Sequence, residues 1–327
     1  MAPKARTVAL EPAVLEDVIT AATAAPSIMN CQPWRFDAHD DVIDLSVLPD
    51  STPDRLDPTG REVYLSLGAA VLNLRLAIFA AGRTPVVQLL PDPYNRQLIA
   101  RIRIAGRGDL SALDVPLYRA IHRRRSSRFP FDETPVPVEE FIRLQEAAAL
   151  EGCHLEVATG LYRDAIVDAS HEAQRAQNAD PELVEEVRLW TTARSREDVG
   201  IPIESLGPRS ADPSSVTRDM AFGQRIPERP VAAFESAALL VVLMTTGDAP
   251  INWLRGGMAL ERVLLAATAH GLSIGLLSQS SEFADLRLLL RDPFSPWHYP
   301  QIAMRLGYGP EVPPTPRRPV SEVLRTS

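Results

Sequence analysis

Residues 121–137 read IHRRRSSRFPFDETPVP, three consecutive arginines, two serines and a fourth arginine set against aromatic and proline residues. The chain as a whole is acidic, with a net charge of −8. So much local positive charge beside two hydroxyls therefore needs a local explanation. One is a solvated loop whose arginines pair with nearby acids, each exposed pair contributing about 0–1 kcal/mol. The other is a phosphate cradle. Guanidinium forks bind phosphate bidentately, hydroxyls add donors, and a helix starting just afterwards would add its dipole.

Composition narrows the setting. At 327 residues, 45% of them hydrophobic, the chain exceeds the length at which one core stops growing, and two structural units are expected. The acidic balance argues against a nucleic-acid groove or a membrane-surface role. Two cysteines, Cys31 and Cys153, are too few for a disulfide framework and lack metal-site spacing. The opening MAPKARTVALEP has no long apolar region and no run approaches 18 apolar residues, so the expectation is a soluble cytoplasmic protein with neither nucleic-acid nor membrane partner.

Working outward, the order of elements repeats. Residues 14–24 carry apolar positions at helical spacing and stop at Pro26; PSIMNCQPW follows, then alternating strands to residue 49. Residues 61–82 read as a long apolar helix ending on Gly82, followed by strands TPVVQLL and LIARIRI. The second half replays this with VPVEEFIRLQEAAA, CHLEV, a long apolar helix over 252–271 ending on Gly271, and strands LSIGLLS and PQIAMRLGYG. Laying 68–82 over 257–271 pairs Gly68 with Gly257, Leu76 with Leu265 and Gly82 with Gly271, with three Ala–Ala matches besides. The spacing predicts an α+β fold in a single domain, 1–327, built of two tandem half-repeats, 1–115 and 116–327, around antiparallel-rich sheets.

Each half holds what the other lacks. The first has the PSIMNCQPW loop and no counterpart of RRRSSR; the second has the reverse. That loop offers Ser27, Asn30 and Gln32 beside Trp34, amides and hydroxyls that suit either the mixed edge of a heterocycle or ordinary turn chemistry. A second basic pair, Arg317 and Arg318, lies in PPTPRRPVSEV, where proline holds an extended backbone that could deliver both, or merely a polar tail. No phosphate-loop, dinucleotide, nucleophile-elbow or zincin motif occurs, and the six histidines never fall at ligand spacing, so no metal site is expected.

RRSSRFPFDETPVP (124–137) resembles the flavin-phosphate motif of the nitroreductase fold. APSIMNCQPWRF (25–36) and LLAATAHGLSIGLLSQ (264–279) resemble its other flavin-contacting segments, and with DPTGRE (57–62) and TPRRPVSEV (315–323) the set is most similar to the Acg family of mycobacteria and related actinobacteria. Ordinary members are homodimers with FMN at the interface, so the resemblance implies a dimer fused into one polypeptide, a monomer in solution with one FMN per chain. It implies Arg124, Arg125, Ser126 and Arg128 around the phosphate and pyrimidine edge, closed by Arg317 and Arg318. It brings Pro26, Ser27, Asn30 and Gln32 to the ring from the other half, and Leu277, Ser278 and Gln279 beside flavin N5, where the family often has Glu-Gly.

Two functions follow from the resemblance. One is an oxidoreductase passing electrons from NAD(P)H through FMN to a nitroaromatic or quinone in a ping-pong scheme, with no protein nucleophile or obligatory acid. The other is an FMN-storing protein with little turnover. Residues 195–230 lack helical or strand period and are rich in proline, as a lid over the flavin would be.

Overall fold

The computed structural model describes residues 9–191, 198–212, 214–224, 226–236, 238–293 and 297–327. Helix α1 (Pro12–Thr23) starts with proline at its first position and leads through the 27–32 loop into strands β1 (Trp34–His39) and β2 (Val42–Val47). Helix α2 (Arg61–Ala80) follows, then β3 (Arg83–Leu89), β4 (Leu98–Arg107) and α3 (Asp114–Ala120). After residues 121–137 come α4 (Val138–Ala149), β5 (His154–Val157), α5 (Gly160–Ala179) and α6 (Pro181–Thr191). Among its described residues, the 198–238 segment contributes the two-residue pair β6 (Arg209–Ser210) and β7 (Val231–Ala232) and a 3-10 turn. The chain closes with β8 (Leu239–Thr245), α7 (Pro250–Ala269), β9 (Ser273–Leu277), α8 (Ala284–Leu288), β10 (Tyr299–Gly307), α9 (Val320–Val323) and β11 (Leu324–Thr326).

Two sheets flank a helical centre. The first has order β11-β1-β2-β4-β3 and is antiparallel except where β11 runs parallel to β1, pairing Phe36 with Leu324. The second, β5-β8-β10-β9, is antiparallel throughout. The last residues of the chain thus complete the sheet built by the first hundred.

Helices α2 and α7 pack against each other at the centre. Both end on a glycine in the left-handed region, Gly82 at φ 73° and Gly271 at φ 75°, which closes the last turn without a Cβ penalty. Where the helices meet, the contact is reciprocal. A Cβ on Gly68 would lie 2.1 Å from the Leu254 carbonyl oxygen, and one on Gly257 would lie 2.0 Å from that of Leu65. Only glycine lets the two backbones come this close.

By length and composition α2 could cross a membrane, yet 78% of its apolar window is buried inside the protein. It contributes Leu67, Leu72, Leu74 and Ile78 to a core that runs without a break through Trp34 and Phe36 of β1, Val263 of α7 and Met304 of β10. A separate apolar cluster fastens the 198–238 segment to the body. There Ile201, Leu206, Met220 and Phe222 meet Met29, Leu56 and, from α6, Leu183 and Val187.

One expectation fails locally. No helix starts just after the arginines, because α4 begins at Val138, ten residues beyond Arg128. Pro130, Pro135 and Pro137 hold the intervening chain extended. The arginines instead follow a helix end, the Arg123 and Arg124 amides both donating to the Ala120 carbonyl.

Candidate functional site

A cleft runs between the 27–32 loop, the 121–128 segment, the end of β9 and the 198–238 segment. Its two ends share Pro26, Ser27, Arg128, Ile201 and Leu276. One end is basic, lined by Arg124, Arg125, Ser126 and Arg317 with Asn30 and Thr315. The other is walled by Leu65, Leu260, Leu277 and Ile302 and carries Glu62, Ser278, Glu282, Arg218 and Arg305.

Local structure explains the basic end. The Ser127 amide donates to the Ile274 carbonyl at 2.8 Å, and Ser126 bridges to the same residue, pinning the arginine segment beside β9. Arg124 and Arg317 converge on the open C-terminal turn of α1, their Nη2 atoms donating to the Ala24 carbonyl at 3.1 and 3.2 Å. Arg317 Nη1 also reaches Asn30 Oδ1 at 3.0 Å. Arg124 Nε stands 3.4 Å from the buried carboxylate of Glu261. The Nε atoms of Arg125 and Arg317 are buried with no hydrogen-bond partner among the described residues.

Three guanidiniums thus crowd together, and two of them, Arg124 and Arg317, share one buried carboxylate, Glu261. Desolvation, then repulsion from Arg124 and Arg125, pushes Arg317 down to about 9 despite the counter-pull of Glu261. Arg125 is lowered by burial and by Arg124. The excess positive charge and the unspent donors fit an oxyanion, and a phosphate dianion above all.

At the other end, burial raises Glu62 to about 7 against the pull of Arg61, with Glu282 and Asp57 adding repulsion. Glu62 accepts from Arg61 at 2.6 Å and from Ser281 at 3.2 Å. Glu282 accepts from Ser278 Oγ at 2.9 Å and Arg218 at 2.8 Å, and binds Gln177. Arg128 is pushed down to about 10 by burial and by the neighbouring Arg218. Apolar walls with polar groups at the rim can receive a planar heterocycle.

Of the residues anticipated from sequence, ten line this cleft: Pro26, Ser27, Asn30, Arg124, Arg125, Ser126, Arg128, Leu277, Ser278 and Arg317. The structure does not bring Gln32, Gln279 or Arg318 to it. The left-handed backbone at Gln32 (φ 54°) turns the amide inward, where Nε2 donates to the Asp198 carbonyl at 2.7 Å and Oε1 accepts the Arg318 amide at 2.8 Å. The Arg318 side chain lies near Ser51 and Asp198. Gln279 Nε2 donates to the Val216 carbonyl at 3.1 Å and faces a second, neighbouring cavity. Glu62, Glu282, Arg218 and Glu261 were not anticipated; the one signal was a charge set within an otherwise apolar helix, as at Glu261 and Glu62.

The 198–238 segment forms part of the wall through Ile201, Thr217, Arg218 and Met220. It is tied down at Asn30, whose Nδ2 donates to the Gly200 carbonyl at 2.8 Å, and by the Arg218–Glu282 pair. Of the lid expected over 195–230, residues 195–197, 213 and 225 lie outside the described residues. Among the described residues no group of three or more metal-binding side chains occurs.

Known proteins resemble this chain over most of its length. The family model described as "Nitroreductase family" matches residues 121–308. A relative from Mycobacterium tuberculosis strain H37Rv named for NAD(P)H nitroreductase activity, Rv3131, is 34% identical over 315 residues, 94% of this chain and 90% of its own length. The acg protein of the same strain, similarly named, is 30% identical over 316 residues, 95% of each. The FMN-dependent nitroreductase NfnB from Mycobacterium smegmatis, solved with NADPH, aligns at a TM-score of 0.40 and 18% identity, over 65% of this chain and 98% of that one. On the family model and the full-length relatives, this chain belongs to the nitroreductase family.

Proposed function

We propose that the cleft binds one FMN per chain, phosphate at the arginine end and ring between Leu65, Leu260 and Leu277, in an oxidoreductase that takes electrons from NAD(P)H and passes them to a nitroaromatic or quinone. The observation that carries this reading is the excess of buried guanidinium charge at one end of a cleft whose other end has apolar walls with mixed polar groups. Relatives named for NAD(P)H nitroreductase activity support it. Bound there, FMN would supply hydride and single-electron transfer. Arg124, Arg125, Ser126 and Arg317 hold the phosphate. Pro26, Ser27 and Asn30 orient the ring from the first half, and Leu277 and Ser278 from the second. Glu62, poised near neutrality, can hold a proton at the ring end.

The reciprocal Gly68–Leu254 and Gly257–Leu65 contacts support the tandem reading, since each is the other shifted by one repeat, as in an isologous dimer interface. The protein is then a cytoplasmic monomer with one site. Flavin released by heat should equal protein one to one; a ratio near two would defeat the single-site reading.

Arg124→Ala should weaken FMN binding about 10- to 150-fold, the loss of one charge-assisted contact, about 1.5–3 kcal/mol. Riboflavin, lacking the phosphate, should bind both proteins alike. Equal weakening of both ligands would remove Arg124 from the phosphate site.

A second reading, flavin storage under a closed lid, is favoured by the fastening of residues 198–230 across the cleft. If it holds, NAD(P)H bleaches the bound flavin slowly while dithionite, being small, bleaches it at once. Rapid bleaching by NADH or NADPH defeats storage and leaves the oxidoreductase.

A further inference from the structure

We propose that Glu261 is a proton-accepting counter-ion behind the arginine clamp, so that binding a phosphate there draws one proton from solvent onto this carboxylate. The inference rests on the FMN reading above. Glu261 sits midway along α7 and is fully buried, its nearest charge Arg124 at 3.4 Å. Among the described residues neither carboxylate oxygen has a partner at full hydrogen-bond distance, the Asn73 amide being the one uncharged group that acts on it. That is an unusual place for a carboxylate with no part in the site, since an ionised group there is costly unless a cation stays committed to it.

The groups that act on it come from three elements. Arg124 reaches it from the segment after α3, Arg317 from the C-terminal tail, and the Asn73 amide from α2. Arg125 lies beyond Arg124 and is itself drawn by Glu311. On its own helix, Arg262 is bound to Asp114 and Glu151, and just past the helix end His270 meets Glu140. Burial raises Glu261 to about 7, with Arg124, Asn73 and Arg317 opposing.

A phosphate dianion changes this balance in one direction. It competes for the field of Arg124 and Arg317, and adds a repulsion of its own. The carboxylate therefore holds its proton more tightly in the complex than in the free protein. A group whose affinity for protons rises on binding takes up a proton between its two pKa values, here from about 7 upward. Phosphate affinity is thus greatest at and below pH 7 and falls above it, by up to about tenfold per pH unit. The phosphate's own second ionisation, near 6, is mostly past by the pH at which this window opens. Arg317, lowered to about 9, stays mostly charged across it, and any proton it takes up on binding would persist in Glu261→Gln, so that variant separates the two groups.

The test follows FMN release by flavin fluorescence on dilution of the flavin-loaded full chain at pH 6.5 to 8.5. Kd should be level to about pH 7 and then climb. Glu261→Gln should flatten the climb, and riboflavin on the wild-type protein should show none. Calorimetry of FMN binding to the wild type at pH 7.5, in two buffers of different ionisation enthalpy, should register proton uptake that is absent with riboflavin; this arm needs no variant. A level wild-type profile, a slope retained in Glu261→Gln, or uptake equal for FMN and riboflavin overturns the proposal while leaving FMN binding intact. Failure to bind FMN at any pH overturns the flavin reading and this inference together.

Discussion

Arg305→Met should destabilise the protein by about 3–5 kcal/mol, the cost of stripping one partner from a buried ion pair. Arg305 on β10 is 1% exposed and its mate Glu235 is 3% exposed. Burial pushes the guanidinium down from its usual range while Glu235 pulls it back. The arginine also donates to the Phe129 carbonyl at 2.7 Å and stacks over the Phe131 ring at 3.9 Å. It therefore holds the segment that follows the arginine clamp against the sheet. Removing it leaves Glu235 charged in a dry place and frees Phe129. Adding Glu235→Leu should restore much of the loss, because an apolar pair tolerates such a site better than a lone charge. Denaturant midpoints for the two singles and the double check this. A loss below about 1 kcal/mol for Arg305→Met would mean that the pair is open to water.

Gly257→Ala should cost about 3 kcal/mol, at the upper end of overpacking, because the added methyl meets backbone and not a movable side chain. The helices must separate, and the same displacement opens the Gly68 contact and disturbs Leu65 and Leu260 on the cleft wall. Flavin retention should fall along with stability. Gly106→Ala is the matched control, with nothing within 4 Å of its new methyl. Thermal unfolding of both variants decides the matter; similar melting temperatures would show that α2 and α7 slide freely.

How much of this was legible beforehand depended on which signals are local. The long helices declared themselves by continuous apolar faces and a terminal glycine, and both glycines adopt the left-handed backbone that such an end requires. Strands β1 to β4 were legible from alternation. Helices α5 and α6 were not, because their polar faces break the apolar run and the buried stripes are narrow and partly polar, with Ser170 and Gln177 among those of α5 and Thr191 among those of α6. Strand β8, five of whose seven residues are LLVVL, shows no alternation because nearly all of it is buried.

In the site, the arginines, Ser27, Asn30 and Ser126 could be anticipated because charge, hydroxyl and amide clusters are visible in one dimension, whereas Pro26, Leu277 and Ser278 followed only from the family resemblance. Gln32 could not be placed. Its direction depends on left-handed backbone at Met29, Asn30 and Gln32, and of these only asparagine commonly signals it. Glu261 and Glu282 were beyond reach for another reason. Each becomes notable only through a partner far along the chain, Arg124 for one and Arg218 for the other.

The close meeting of α2 and α7 also dictates what happens during synthesis. Gly68 and Gly257 are 189 positions apart, and at translation rates of about 5–20 residues per second the first waits roughly 10–40 seconds for the second. Throughout that wait an apolar helix long enough to span a membrane has one face uncovered. Strand β1 waits longer still, since its edge neighbour, β11, is made after α7. The early part of the chain cannot finish folding by itself. Fragments ending before Pro250 should collect in the insoluble fraction or on chaperones, and emergence of α7 and β11, not of the first half, sets when the native state first appears.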